Sequence, residues 1–234
     1  MIPLRQSITG ILERLAGRLR RGLLIEEVLE SLARAGVLVF PYYLTERHLT
    51  APGADRSLPS PLAFRPLREG DASAMADVPG RPLAVAVARA RLLRSRYFGL
   101  FLDGQLVAYN SASVDTVRLP FRQQALFTLE PDEAYLWDTF VSPMHRGARL
   151  SQHLSAEIAA QLLSEGRDCI FGLQGAFNTP SRQFSRRLGA RRVELRLLVG
   201  LTRGFALDLR LWSWRAITRT RRICGVLQRP RASS

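Results

Sequence analysis

Two stretches of this 234-residue chain have residue types and spacing suited to chemistry. The first is Val141-Ser142-Pro143-Met144-His145-Arg146-Gly147-Ala148-Arg149-Leu150-Ser151, an apolar run that turns and then opens a helical pattern. A turn between strand and helix leaves several backbone N–H groups without partners. Together with the positive end of the helix dipole they form an anion site. The second is Asn178-Thr179-Pro180-Ser181, a capped helix start with proline in its first turn. Asp138 lies three residues before Val141, on the strand that feeds the turn. A carboxylate there suits proton transfer from an attacking nucleophile, and equally a hydrogen-bonded strand position. Glu133, at the strand's start, reads as solvated. His145 reads as a surface histidine beside the turn, His153 as structural, and His48 has no visible partner. The three His and two Cys lack ligand spacing, so no metal is expected. The chain has no lysine, which excludes Schiff-base and lysine-nucleophile chemistry.

The elements that must position these groups follow from periodicity. Ala134–Val141 reads as a strand. Leu150, Leu154, Ile158 and Leu162 share one face of a helix that Gly166 ends. Asp168–Leu173 reads as a buried strand, and Thr179 is expected to cap a helix that ends at Gly189. Upstream, Leu62–Leu67 is a strand that turns at Arg68-Glu69-Gly70-Asp71 into a helix capped by Asp71, and Leu83–Ser95 is a second helical run. Asp103-Gly104 joins strands Tyr97–Leu102 and Gln105–Ala112 in a hairpin. Asp115–Leu129 is ambiguous between strand and loop. Arg192–Leu201 and Phe205–Trp214 form a last hairpin turned at Thr202-Arg203-Gly204, with Val193, Leu195, Leu197, Val199 and Leu201 alternating.

Residues 1–61 read as an N-terminal helical extension and linker. Ile8, Ile11, Leu12, Leu15 and Leu19 give an Arg-rich amphipathic helix. Leu24–Arg34 gives a second, ending at Gly36, and Val37–Phe40 is a short β candidate closed by Pro41. Residues 51–61 have linker composition, 62–214 form the main domain, and 215–234 a basic tail. No apolar run approaches the roughly 20 residues of a membrane-spanning helix. Charges interrupt Ile8–Leu24, so it does not read as a secretory leader and a cytoplasmic location is expected. The net charge is +14 and all of the basic residues are arginines. Fourteen of them lie from Arg182 onward against Glu194 and Asp208 alone, a balance of +12 in that quarter. An anionic partner is implied: a nucleotide cofactor, an acidic protein, nucleic acid or lipid headgroups. Trp212, Trp214 and the arginines after them suit a membrane interface or nucleic acid, though more often a Trp in a final strand is core and an Arg run is a solvated face.

Two motifs together resemble the GCN5-related N-acetyltransferase (GNAT) superfamily over about Leu62–Trp214. One is Phe140-Val141-Ser142-Pro143 followed by Arg146-Gly147-Ala148-Arg149-Leu150-Ser151, similar to the family's Arg/Gln-x-x-Gly-x-Gly/Ala turn. The other runs from Asn178-Thr179-Pro180-Ser181 through Phe184 to Leu188-Gly189-Ala190. The resemblance implies a mixed, mostly antiparallel central sheet flanked by helices, here with an extra N-terminal helical segment. It implies an acyl-CoA, most simply acetyl-CoA, as donor to an amine acceptor in a ternary complex. Residues Arg146–Ser151 would cradle the pyrophosphate, Phe140 and Val141 would take the pantetheine arm, and Asn178 and Ser181 would contact it from the other side. Asp138 would relay the proton. Ser185 stands where the family often carries a thiolate-protonating Tyr. Arg149 stands at a usual Gly, and Ala190 at a usual Phe. The basic surface leaves two further readings: an acidic acyl-carrier protein as donor, or a non-catalytic module that binds nucleic acid or anionic membrane.

Overall fold

The computed structural model describes residues 23–50, 61–79, 81, 83–118, 125–145, 147–201, 205–214 and 226–227. In chain order the elements are α1 (Leu23–Arg34), β1 (Val37–His48), β2 (Leu62–Leu67), a 3-10 turn (Glu69–Asp71), α2 (Ala72–Ala76), α3 (Val85–Arg94), β3 (Arg96–Leu102), β4 (Gln105–Ser113), β5 (Thr116–Arg118), β6 (Ala125–Thr128), β7 (Glu133–Val141), α4 (Leu150–Ser164), β8 (Cys169–Gly175), α5 (Thr179–Arg187), β9 (Arg191–Leu201), β10 (Ala206–Ser213) and β11 (Val226–Leu227). A mostly antiparallel sheet flanked by helices is the fold class that the motifs imply. The chain divides into two compact units: 47–117 with 128–172, and 1–46 with 118–127 and 173–234.

In the unit of residues 47–117 and 128–172, β2, β3, β4 and β7 pair antiparallel in that order, and β7 pairs parallel with Cys169–Gly172 of β8. Asp103 and Gly104 adopt φ of 50° and 78°, the left-handed pair that a two-residue hairpin requires. Strand β3 is buried on both faces, so it reads as a near-continuous apolar run. On one side Phe98 and Leu100 pack with Leu150, Leu154, Ile158 and Leu162 of α4. On the other, Tyr97 and Phe101 pack with Leu67, Met75 and Ala88. The expected face of α4 is therefore the buried one. Asp71 differs from expectation: it makes no cap bond to α2. It accepts from the Arg68 N–H at 2.7 Å and pairs with Arg65, closing the 3-10 turn instead.

In the other unit β11, β10, β9 and β1 pair antiparallel. Here the expected N-terminal boundary fails. Strand β1 does not stop at Pro41 but runs to His48, in register with β9 from Val37↔Leu201 to Glu46↔Arg191. Proline removes one ladder donor, yet its carbonyl still accepts from the Ala176 N–H at 2.8 Å. Residues Val37–His48 are thus a full strand of the sheet. The alternation in β9 is also inverted in depth. Glu194, Arg196 and Leu198 are buried, whereas Leu195, Leu197 and Val199 are half-buried. Arg196 bridges Glu194 at 2.6 Å and Asp208 at 3.0 Å, and Tyr42 donates to Asp208 at 2.9 Å. Burial raises the Asp208 carboxyl above its ordinary range even with Arg196 beside it. The amphipathic helix read over Ile8–Leu19, the turn at Thr202–Gly204 and nearly all of the tail lie outside the described residues.

Two stability predictions follow from the α4 side. Leu154 is fully buried, so Leu154→Ala should cost about 2–5 kcal/mol in chemical denaturation. Glu165, past the helix end, takes both Arg96 guanidinium nitrogens at 2.6 and 2.7 Å, and this pairing lowers its carboxyl to about 2. Because the folded value is depressed, the contribution is complete above the ordinary value of 4.5 and is lost as pH falls toward 2. The melting-temperature gap between wild type and Glu165→Gln should be largest at pH 7 and close by pH 2.5. A gap unchanged across that window would contradict the pairing.

Candidate functional site

Strand β7 carries the first group of candidate residues. Its parallel ladder with β8 runs only from Glu133↔Cys169 to Leu136↔Gly172, although β7 continues to Val141. Trp137–Val141 therefore has no β8 partner along that edge. On the β4 side the register jumps between Ser111↔Trp137 and Tyr109↔Phe140, so Asp138 and Thr139 together oppose Asn110. This is a β-bulge in β7. Asp138 holds φ at 56°, a conformation that Asp tolerates better than most side chains. Opposite it, the Asn110 Oδ1 is buried with no donor among the described residues.

The Asp138 carboxylate is only 6% exposed and fully engaged. Its Oδ1 lies 2.5 Å from an Arg81 guanidinium nitrogen. Its Oδ2 accepts from Arg91 at 2.8 Å and from the Tyr97 hydroxyl at 2.9 Å. Arg81 also donates to the Tyr109 hydroxyl at 3.0 Å. Burial, and then the Asp138 charge, pushes the Tyr97 phenol well above its ordinary value. Burial likewise raises Tyr109, with Arg81 opposing. Both phenols stay neutral at physiological pH. Two guanidiniums and a phenol thus converge on this one carboxylate. That geometry suits a holding role more than the proton relay expected of it.

After β7 the chain forms a 3-10 turn at Pro143–His145 and then the approach to α4. Gly147 takes φ of 93° and Arg149 takes 55°, so two left-handed residues aim the chain into the helix. A glycine would adopt the Arg149 conformation without strain. Arg149 occupies the N-cap position, its carbonyl accepting from Gln152 and His153, but no side chain caps the first N–H groups of α4. Those of Leu150 and Ser151 lead the helix, and Gly147, Ala148 and Arg149 are exposed. Arg146 lies outside the described residues. Phe140 and Val141 face opposite sides: Phe140 stacks on Tyr109 at 5.5 Å, and Val141 packs on the α4 core.

The second group lies in the other unit, on α5. Its cap is Asn178, one residue earlier than expected. The side-chain oxygen accepts from the Ser181 N–H at 2.9 Å, so Thr179 is the first helical residue and Pro180 the second. Asn178 Nδ2 donates to Glu26 of α1 at 2.8 Å. Burial raises the Glu26 carboxyl, and a Cβ on Gly175 would collide with it. Ser181 and Ser185 are half-buried on this helix. Thus Asp138, Phe140, Val141 and the turn form one contiguous set, and Asn178, Ser181 and Ser185 another, each within its own unit. Sequence reading missed Arg81, Arg91, Tyr97, Tyr109 and Glu26. A usable signal existed for the tyrosines alone: they are hydroxyl-bearing aromatics among the apolar positions of the hairpin, set at Tyr97↔Ser111 and Gly99↔Tyr109.

Residues 68–190, more than half of the chain, match the model of the acetyltransferase (GNAT) family. No curated protein matches the chain in sequence. Among solved structures, a putative GNAT-family acetyltransferase from Novosphingobium aromaticivorans DSM 12444 is 19% identical with a TM-score of 0.47, over 67% of this chain and 61% of its own. A Drosophila protein is 16% identical with a TM-score of 0.50, over 79% of this chain and 57% of its own. An aminoglycoside N-acetyltransferase solved in complex with CoA is 17% identical with a TM-score of 0.43, over 57% of this chain and 91% of its own. This chain spans about three fifths of the length of the first two. These likenesses are to the fold. The family match covers the bulged strand, the uncapped turn and the Asn-led helix together, and on it the chain belongs to the GNAT acetyltransferase family.

Proposed function

We propose that this protein transfers an acyl group, most simply acetyl, from an acyl-CoA to an amine acceptor. The observation that carries this reading is the β7 edge. It loses its β8 partner after Leu136 and leads, through the 3-10 turn at Pro143–His145, to a helix whose N-cap residue makes no side-chain cap bond. An extended arm can pair with Phe140 and Val141 as an added strand would. The pyrophosphate would meet the Leu150 and Ser151 N–H groups at the positive end of α4, with the Arg149 guanidinium in reach of its oxygens.

In the reaction the acceptor nitrogen attacks the thioester carbonyl carbon. The C–S bond breaks, the new C–N bond is an amide, and the amine proton passes to solvent or to the departing thiolate. Asp138 acts as organiser: it holds Arg81, Arg91 and Tyr97 around the bulge that shapes the Phe140–Val141 edge. The Ser185 hydroxyl is too weak an acid to protonate a thiolate, so solvent does so.

Titration calorimetry with acetyl-CoA should show one-site binding that Arg149→Glu weakens at least tenfold. No heat at high micromolar ligand would sink the cofactor assignment. Asp138→Ala should lower stability by about 2–4 kcal/mol, because two partly buried guanidiniums lose their partner. Asp138→Asn should lower kcat while the pH–rate profile keeps its acidic limb. Loss of that limb would make Asp138 the base after all.

A further inference from the structure

In the unit that contains α5, a pocket of about 630 Å³ opens between the helix, the end of β1 and the start of β9. Its wall carries Arg182, Arg186, Arg191 and Arg192, with Ser185 and Trp214. No carboxylate is among its described lining residues, and no residue of the Ser142–Ser151 turn belongs to it. Helix α5 buries none of its side chains fully, whereas a helix on a sheet ordinarily buries an apolar stripe.

Among the described residues, none of these four arginines makes an ion pair. The Arg192 guanidinium lies 4.3 Å from the Tyr43 ring centroid and that of Arg182 lies 6.0 Å from it. Tyr43 in turn packs against Trp214 at 5.9 Å. Two like charges flank one ring, steadied by its π face and not by an acid. Arg182 donates to the Thr179 hydroxyl at 3.0 Å, but its Nε is buried without an acceptor among the described residues. Glu26 feels the charge of Arg182, yet its carboxylate is taken by Asn178 and does not line the pocket. Neither Arg186 nor Arg191 makes an ion pair among the described residues. Guanidiniums in a concave wall that holds no carboxylate raise the local potential, and each presents paired N–H donors of the kind that phosphate oxygens accept.

We propose that this pocket is a binding site for a multiply charged phosphate compound, with no residue of the turn before α4 in its lining. Its volume suits a ligand of sugar-phosphate or nucleotide size. Tyr43 and Trp214 at its border offer a stacking surface for a planar or sugar group beside the phosphates.

Inorganic pyrophosphate is the probe, titrated calorimetrically into the full chain at low and at 0.5 M salt. The expected result is saturable one-site binding that weakens with salt. Arg186→Gln and Arg191→Gln, both at exposed positions, should each lower affinity about tenfold, and Arg192→Gln more. Arg94→Gln, an exposed arginine of α3, should leave it unchanged. Three outcomes overturn the proposal: no binding at millimolar pyrophosphate in low salt, an equal loss in Arg94→Gln, or abolition of binding by saturating CoA, which would give the pocket to the cofactor. The acetyl-CoA titration above is read independently, so failure of the acyl-transfer reading and failure of this one are distinguishable.

Discussion

The carboxylate of Asp138 is the interaction on which the described site depends. One residue in β7 takes a left-handed conformation, the strand bulges, and the side chain turns to meet Arg81, Arg91 and Tyr97. Those partners come from the loop before α3, from α3 itself and from β3, so one charge ties three elements to one point of a strand. A buried carboxylate is costly unless ions and hydrogen bonds satisfy it, and here both oxygens are satisfied. The same bulge re-aims Phe140 and Val141 just where the β8 ladder has ended. Strand geometry, electrostatics and the free edge are consequences of one local event.

Charge is handled in two ways. Around Asp138 opposite charges are paired and shielded, as they are again at Arg196, where Glu194 and Asp208 flank one guanidinium. Under α5 they are unmatched: arginines meet Tyr43 and one another without an acid in the wall. Satisfied networks specify structure. An unsatisfied, solvent-open one points outward to a ligand.

Much of the first unit was legible because its signals are local. Asp103-Gly104 demands a left-handed pair, and Leu150, Leu154, Ile158 and Leu162 recur at helical spacing, so the hairpin and α4 follow directly. The turn before α4 was legible for the same reason, including Arg149 as its unusual residue. Position in the tertiary structure was not. Pro41 reads as a stop, but one missing donor does not end a strand that neighbours support on both sides. In β9 the apolar alternation misled, since a salt-bridged network can bury Glu194 and Arg196 as deeply as leucines. Asp138 was identified as important, but its partners lie 41 to 57 residues away in sequence and carry no mutual spacing that a reader could use.

The central claim is that the β7 edge and the start of α4 receive an acyl-CoA. The most direct measurement is amide chemical-shift mapping of the labelled protein as acetyl-CoA is added. The account predicts saturable shifts at Phe140, Val141 and Gly147–Ser151, with the largest at Leu150 and Ser151, the first N–H groups of the helix. Shifts that leave those amides unmoved while others respond, or no shifts at all, would contradict it.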